Sequence, residues 1–306
     1  NRKSRDIETF FLRLKMNKIA IQGIRGSNHY IVAKNYFEAS SQIQEFLSFD
    51  DLVNSIVSGN SDYGIMAIEN TIAGSIIPNY ALIDRYQLLI SGEYYLNIHH
   101  HLMALKKQKI EDIKEVYSHP MALLQCKEFF KKLPQIKLIE DVDTADVAKR
   151  ISEKKIKHIA AIAPKIAADL FGLTVLEDEI QTIKNNATRF VILQKNLRND
   201  PSHQRKENPL LMENMNHSKE INKASLKFEL DHKRGSLAAI LNVMSDCKLN
   251  LTKIQSLPKI ETPWKYAFFV DVTFDMYQNY DKAKAIIEIM AEDFKILGEY
   301  KNGRNG

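Results

Sequence analysis

The run Asn185-Asn186-Ala187-Thr188-Arg189-Phe190-Val191-Ile192-Leu193 sets two amides, a hydroxyl, a guanidinium and an aromatic ring at the mouth of an apolar strand. A strand holds such groups more firmly than a loop, and the set suits a small, anionic, ring-shaped ligand. A second run, Ile68-Glu69-Asn70-Thr71-Ile72-Ala73-Gly74-Ser75, gathers a carboxylate, an amide and hydroxyls at the carboxyl end of an apolar strand, where ligands of α/β sheets collect. The plainer reading is a turn in which Asn70 and Ser75 cap the next helix. A third run, Gly23-Ile24-Arg25-Gly26-Ser27-Asn28-His29, joins a strand to a helix. Its glycines permit a tight turn, and the backbone amides with Ser27 can grip a carboxylate or phosphate, or simply cap the helix. It lacks both the third glycine of a dinucleotide fingerprint and the Gly-Lys-Ser/Thr of a P-loop. Ser118-His119-Pro120 opens a helix with the hydroxyl expected at the cap and proline in the first turn. His119 there reads as a hydrogen-bond partner or a base.

Alternating strands and helices must position these groups. Strands are expected at Lys18 to Gln22, Gln42 to Phe49 and Tyr63 to Ile68, with helices at Asn28 to Ala39, Asp50 to Ser58 and about Ser75 to Asp84. Leu96 to Leu105, Glu115 to Tyr117, Lys137 to Ile139 and His158 to Ala163 read as strands of a second unit, with helices from Pro120, Thr144 and Pro164. The strand Arg189 to Leu193 then crosses back to the first sheet. The expected organisation is a tail over 1–17 and a catalytic domain over 18–195. That domain has one lobe at about 18–95 with 181–195, a second at about 96–180, and a cleft between them. A linker is expected over 196–223. Residues 224–300 follow the order βαββαβ, a ferredoxin-like pattern; Trp264 reads as core or interface of that unit.

Composition narrows the classes. The chain has 306 residues and a net charge of +5, with 43 Lys and Arg against 38 Asp and Glu. That length supports two or three compact units, and the basic excess is too interspersed to argue for nucleic acid. Cys126 and Cys247 have no Cys or His partner in sequence and read as reduced core residues. His99-His100-His101 would alternate between faces of a strand, so no metal is expected there. Asn1 to Asn17 has no apolar run fit for a secretory signal, and no stretch reaches a membrane span. A cytoplasmic location and no membrane partner are the expectations.

Taken in order, these runs resemble the prephenate dehydratase family from about Lys18 to Glu299. The matching text is Gly23-x-x-Gly26-Ser27, Ile68-Glu69-Asn70-Thr71-x-x-Gly74-Ser75, Gly92-Glu93 with Ile98-x-His100-x-Leu102, and Val116-Tyr117-Ser118-His119-Pro120-x-Ala122-Leu123-x-Gln125-Cys126. It continues with Asp143-Thr144-Ala145, Ala160-Ala161-Ile162-Ala163, Gly172-Leu173 and Asn186-Ala187-Thr188-Arg189-Phe190. The C-terminal unit resembles an ACT regulatory domain through Gly235-Ser236-Leu237, Asn250-Leu251-Thr252-x-Ile254 and Trp264-x-Tyr266-x-Phe268-Phe269-Val270-Asp271. The family's Glu-Ser-Arg-Pro stands here as Gln255-Ser256-Leu257-Pro258, without either charge, and Met121 replaces a usual glutamine.

The resemblance implies a two-lobed α/β catalytic domain like the periplasmic binding proteins plus a ferredoxin-like βαββαβ ACT domain. It implies a decarboxylating carbon–oxygen lyase that turns prephenate into phenylpyruvate for L-phenylalanine biosynthesis without metal or organic cofactor. Thr188 maps onto the family's catalytic threonine. Arg189 and Glu69 are the further catalytic candidates, Arg189 to orient the site or the side-chain carboxylate, Glu69 as general acid if burial raises its pKa, otherwise as a residue that orients Asn70 and the turn. Gly26, Ser27, Asn70, Thr71, Gly74, Ser75, Ser118, Asn186 and Phe190 are expected to bind substrate. Gly235, Ser236, Leu237, Asn250, Ser256 and Leu257 are expected to bind L-phenylalanine as an effector across a homodimer or homotetramer. A fused chorismate mutase is not expected, since few residues precede Lys18. Two alternatives stay open: the amino analogue arogenate as substrate, and an amino-acid-sensing binding protein without chemistry. Uncharged donors are expected around the ring carboxylate, because a full positive charge there would hold the ground state more tightly than the transition state.

Overall fold

Ile19, Ala20 and Ile21 are fully buried in succession along β1 (Lys18–Gln22), because a parallel strand flanked by helices must be apolar on both faces. The computed structural model describes residues 16–197, 221–231, 233–259, 262 and 265–305. The tail before Met16, most of the expected linker, and Trp264 lie outside the described residues. The described chain divides into two compact units: up to Ile65 with Asn97–Asn186, and Met66–Leu96 with Ala187 onward.

In the first unit, β1 pairs in parallel with β2 (Gln42–Phe46) and with the opening residues of β3 (Tyr63–Asn70). The helices Asn28–Tyr36 and Phe49–Val57 are capped by Ser27 and Ser48, whose hydroxyls accept the amides of Tyr30 and Asp51 at 3.2 and 3.1 Å. A five-stranded sheet runs in the order β10 (Thr174–Glu177), β6 (His101–Ala104), β9 (Ile159–Ala163), β7 (Glu115–Ser118), β8 (Lys137–Glu140). Strand β7 is parallel to β8 and β9, whereas β6 runs antiparallel to β9 and β10. Leu102, Val116, Ala160 and Ile162 are fully buried on one face of it, and Met103, Ala161 and Ala163 on the other.

Two expectations are corrected here. Leu96 to Leu105 is not one strand: β5 (Leu89–Asn97) ends before β6 begins at His101. Between them the amide of Ile98 donates to the Asn186 carbonyl at 2.7 Å and that of His100 to Gln181 Oε1 at 2.9 Å, so the backbone leaves its ladder to satisfy other partners. The helix Pro120–Gln125 is capped by the His119 ring, whose Nδ1 accepts the Met121 amide at 3.2 Å, and not by Ser118.

In the second unit, β3 from Met66 onward pairs antiparallel with β4 (Gly74–Ser75), and the sheet continues through β11 (Ala187–Gln194) to β5. The same unit contains β12 (Lys223–Glu229), a helix Ser236–Asp246, β13 (Asn250–Pro258), β14 (Tyr266–Thr273), a helix Tyr277–Met290 and β15 (Asp293–Tyr300). These pair antiparallel in the order β13, β14, β12, β15, the ferredoxin-like topology that the alternation implies. Phe228, Ile240, Tyr280 and Ile287 are fully buried between the helices and the sheet. The other face is covered as well, since all seven residues of β12 are buried. A Cβ on Gly298 of β15 would lie 2.2 Å from the Ile90 carbonyl oxygen, so glycine is what lets β15 lie against β5.

Candidate active site

Asn70 ends β3 and Thr188 sits near the start of β11. The Asn70 amide donates from Nδ2 to Thr188 Oγ1 at 2.9 Å and to the Ala187 carbonyl at 3.3 Å. Its Oδ1 accepts the amides of Ile72 and Ala73, both at 2.9 Å, which fixes the side chain at both ends. The turn is stitched to β11 by Thr71, whose amide donates to the Ala187 carbonyl and whose Oγ1 accepts the Ala187 amide, each at 2.9 Å. The Thr188 side chain, 8% exposed, therefore has its acceptor side met by an amide and its own proton left to donate. A hydroxyl that accepts one hydrogen bond donates a stronger one.

Ser75 is treated in the same way by a cation. Lys253 of β13 donates from Nζ to Ser75 Oγ and to Glu69 Oε1, each at 2.7 Å, with the ammonium 5.8 Å from the Tyr80 ring centroid. Glu69 and Ser75 face each other in the β3–β4 register, so one side chain reaches both. The Glu69 side chain is 36% exposed and ion-paired. Its role as general acid depends on burial, and here the side chain is only partly buried and meets a cation. Thr71 and Gly74 are exposed on the same turn, Gly74 with a φ of 81° that favours glycine.

Arg189 points elsewhere. Neighbouring strand residues face opposite ways, and Thr188 meets Asn70 while the guanidinium of Arg189 is 4% exposed among acids. Its Nε donates to Glu93 Oε2 at 2.6 Å, Nη1 to Asp271 Oδ2, and Nη2 to the Tyr300 hydroxyl at 2.9 Å. Lys223 donates to both oxygens of Glu93 at 2.9 Å, and Ser225 lies 2.5 Å from Asp271 Oδ1 and 2.6 Å from the Tyr300 hydroxyl. Burial alone would raise the Asp271 carboxyl, but the adjoining Arg189 guanidinium, helped by Lys223 and Ser225, outweighs it and holds the pKa below the usual 3.8. Burial pushes the Tyr300 phenol well above its usual value, so it stays a neutral donor and acceptor. Of the two roles expected for Arg189, orienting the substrate's side-chain carboxylate is corrected, since Nε, Nη1 and Nη2 each already donate within a buried network, and orienting the site is not.

Other expected binding residues are placed as follows. Gly23 and Gly26 have φ of 85° and 96°. A Cβ on Gly23 would sit 2.8 Å from Asp143 Oδ2, and one on Gly26 would sit 3.3 Å from Ala167, so both glycines serve a close approach. Ser27 is 4% exposed and accepts the Tyr30 amide, again leaving its proton to donate. Ser118 is fully buried and donates to the Ile162 carbonyl at 2.7 Å, which uses its proton and corrects its expected place among ligand donors. Asn186 is 1% exposed, with Nδ2 donating to Gln125 Oε1 at 2.9 Å, and Phe190 is a core residue at 1%. The three consecutive histidines are dispersed: His99 is 3.2 Å from Glu179, His100 2.8 Å from Gln125, and His101 2.9 Å from Asp178. Among the described residues no group of His, Cys, Asp and Glu could hold a metal ion, and no helix is long and apolar enough to cross a membrane.

In the ferredoxin-like part, a small surface pocket is lined by Leu230, Asp231, Lys233, Ser236, Leu237 and Phe268 among others. Gly235 has a φ of 85° at the start of the helix Ser236–Asp246. Asn250, Ser256 and Leu257 lie on the edge strand β13, outside that pocket. Sequence reading passed over Lys253, Lys223, Asp271 and Tyr300, which the structure brings to Glu69 and to the network around Arg189. For Lys223 and Asp271 the available signal was charge on strands rich in apolar residues, together with Glu93 in the matched Gly92-Glu93.

A sequence model of prephenate dehydratase matches residues 19–198. The chain belongs to the prephenate dehydratase family. It is 31% identical over 286 residues to the bifunctional chorismate mutase/prephenate dehydratase of Buchnera aphidicola subsp. Acyrthosiphon pisum, covering 91% of this chain and 69% of that one. It is 32% identical over 298 residues to arogenate dehydratase 2 of Petunia hybrida, covering 92% and 71%. The crystal structure of prephenate dehydratase from Arthrobacter aurescens in complex with L-Phe superposes with a TM-score of 0.79 at 21% identity, over 94% of this chain and 91% of that one. That last likeness shows the fold, including its C-terminal part. Thr188, Ser27 and Ser75 each accept a hydrogen bond and keep a proton to donate without carrying charge.

Proposed function

We propose that this chain is a prephenate dehydratase that uses the Asn70-oriented hydroxyl of Thr188 to assist departure of the ring hydroxyl. The observation that carries the reading is the 2.9 Å hydrogen bond from Asn70 to Thr188 Oγ1, which meets the hydroxyl's acceptor side and leaves its proton to donate. In the reaction the bond between ring and carboxylate breaks, its electron pair enters the ring, and carbon dioxide leaves. The ring C–O bond breaks with its electron pair on oxygen, a proton is taken up there, and water leaves beside phenylpyruvate. Aromatisation drives the process, so the protein must align the two breaking bonds and stabilise charge developing on the leaving oxygen. An unperturbed threonine is too weak an acid to give up its proton fully, so Thr188 acts by hydrogen bonding. Neutral donors at Thr188 and Ser75 avoid tightening the ground-state carboxylate.

Glu69, about a third open to solvent and paired with Lys253, is read as a residue that orients the turn. Glu69→Gln should keep the shape of the pH–rate profile while lowering kcat by up to ~10-fold through misplacement of Asn70. Loss of one limb of the profile would restore Glu69 as the acid.

The C-terminal ferredoxin-like part is read as an ACT regulatory domain for L-phenylalanine, supported by the pocket beside Gly235, Ser236 and Leu237. Asp231 and Lys233, paired with each other in the unliganded chain, are suited to an ammonium and a carboxylate, and Leu230, Leu237 and Phe268 to a ring. Arogenate is the second reading, favoured by the 32% identity to the Petunia arogenate dehydratase. Direct assay of the full chain with each substrate tests the proposal. Phenylpyruvate should form from prephenate with a kcat/KM at least ~10-fold above that for phenylalanine formation from arogenate, the order of discrimination that one changed polar group gives. Binding of prephenate without product would favour a sensor, and preference for arogenate would reverse the substrate assignment.

A further inference from the structure

The Asn70–Thr188 pair is flanked on both chain neighbours by side chains from the ferredoxin-like sheet. Glu69, beside Asn70, is held by Lys253 of β13, and Arg189, beside Thr188, is held by Asp271 of β14 and Tyr300 of β15. We infer that Lys253 is a positioning residue for the dehydratase site, acting through Glu69 and Ser75 to hold the 69–75 turn in the form that presents Asn70 to Thr188.

The inference rests on the dehydratase reading for its catalytic consequence, whereas the geometric statement stands without it. Lys253 is 9% exposed at its side chain, so its ammonium has left most of its water and depends on the two oxygens it meets. Glu69 balances its charge, and Ser75 gains a donor on its acceptor side. The serine proton is thereby left free for a ligand, and the cation strengthens that donor without itself approaching a departing carboxylate. The clamp also joins the two strands of the β3–β4 hairpin, since Glu69 and Ser75 face each other across it. The remaining ties of this turn are of two kinds: local ones, the Ile76 amide to the Ile68 carbonyl at 2.9 Å and the Asn70 side chain to the amides of Ile72 and Ala73, and ties to β11 through Thr71 and Asn70, which bond Ala187 and Thr188. A two-residue strand such as β4 has little stability of its own, and while β11 holds the turn at residues 70–71, Lys253 holds the Glu69–Ser75 pair, so both anchors decide how often the hairpin opens.

Lys253→Met in the full chain, with Lys253→Arg as the conservative control, tests this. Hydrogen exchange at the amides of Thr71, Ile72, Ala73 and Ile76 should quicken about 10-fold in Lys253→Met, with exchange in β12 unchanged. For prephenate, kcat should fall about five-fold with KM changed less than about two-fold, because ground-state contacts survive while alignment is lost. Lys253→Arg keeps a cation at the same place and should return both quantities most of the way. Unchanged exchange at the turn in Lys253→Met overturns the inference whatever the turnover, and so does quicker exchange with unchanged kcat and KM. If the unsubstituted chain forms no phenylpyruvate, the dehydratase reading fails by itself, and the exchange measurement still decides whether Lys253 holds the turn.

Discussion

Replacing Thr188 by alanine should lower kcat for prephenate by about 10²–10³-fold, the usual cost of removing one donor aimed at charge that develops in a transition state. The stability should fall by only about 1 kcal/mol, since a small strand side chain with one hydrogen bond is lost. Thr188→Ser keeps the hydroxyl and should retain most of the rate, because Asn70 can still donate to it. Phenylpyruvate formation followed by absorbance, beside thermal unfolding of each variant, separates chemistry from folding. Near-normal turnover in Thr188→Ala would remove this hydroxyl from the mechanism. The neighbouring Asn70→Ala should act in the same direction, since the threonine proton would no longer be directed.

Arg189→Met should destabilise the chain by roughly 3–5 kcal/mol near neutral pH, the range for removing one partner of a buried ion pair. The loss strands Glu93 and Asp271 with Lys223 as the remaining buried cation of the network. A hub of this kind adds little beyond what an apolar core would give, but it cannot be broken cheaply from one side. The pH dependence distinguishes this account from simple loss of packing. In the unsubstituted chain the Asp271 pKa lies below its unfolded value of 3.8, so its contribution is present above about that pH and is lost as pH falls through the lower folded value. In Arg189→Met the carboxylate loses its main partner and burial raises its pKa, so protonation on acidification relieves the folded state. The difference in unfolding free energy between the two proteins should therefore shrink between pH 7.5 and pH 5 in urea titrations. A difference that stays constant across that window would assign the loss to packing alone.

Much of the fold was legible in the sequence because the relevant forces are local. The alternation of Leu226, Phe228 and Leu230, the helical spacing of Leu237, Ile240, Leu241 and Met244, and the glycine-bearing turn after β1 each follow from periodicity and backbone freedom. Local pattern also misled where a tertiary partner decided the outcome. Ser118 has the chemistry of a helix cap, yet the Ile162 carbonyl of a neighbouring strand takes its proton and the His119 ring caps the helix instead. Leu96 to Leu105 has the composition of one strand, but hydrogen bonds to Asn186 and Gln181 break it. Charged residues alternating along β12 look solvated by sequence rules, whereas Lys223 and Lys227 are buried against Glu93 and Asp84. Arg189 follows the same logic: its place next to Thr188 suggested a ligand carboxylate, and acids distant in sequence, Glu93 and Asp271, claim it.

Thr188 and Asn70 were visible as chemistry-bearing residues, but their mutual hydrogen bond was not, because 118 positions separate them along the chain. Lys253 carried no sequence signal of function, since an isolated lysine on an alternating edge strand reads as surface charge. Its contact with Glu69 and Ser75 arises only when β13 is placed against the β3–β4 hairpin.

A crystal of the full chain soaked with phenylpyruvate examines the central claim most directly. The account predicts the product's ring beside the turn at residue 70, with Thr188 Oγ1, still held by Asn70, within about 3.5 Å of the ligand or of a water occupying the place of the departed hydroxyl. Product seated out of reach of Thr188 Oγ1, with that side chain turned from it, would contradict the account.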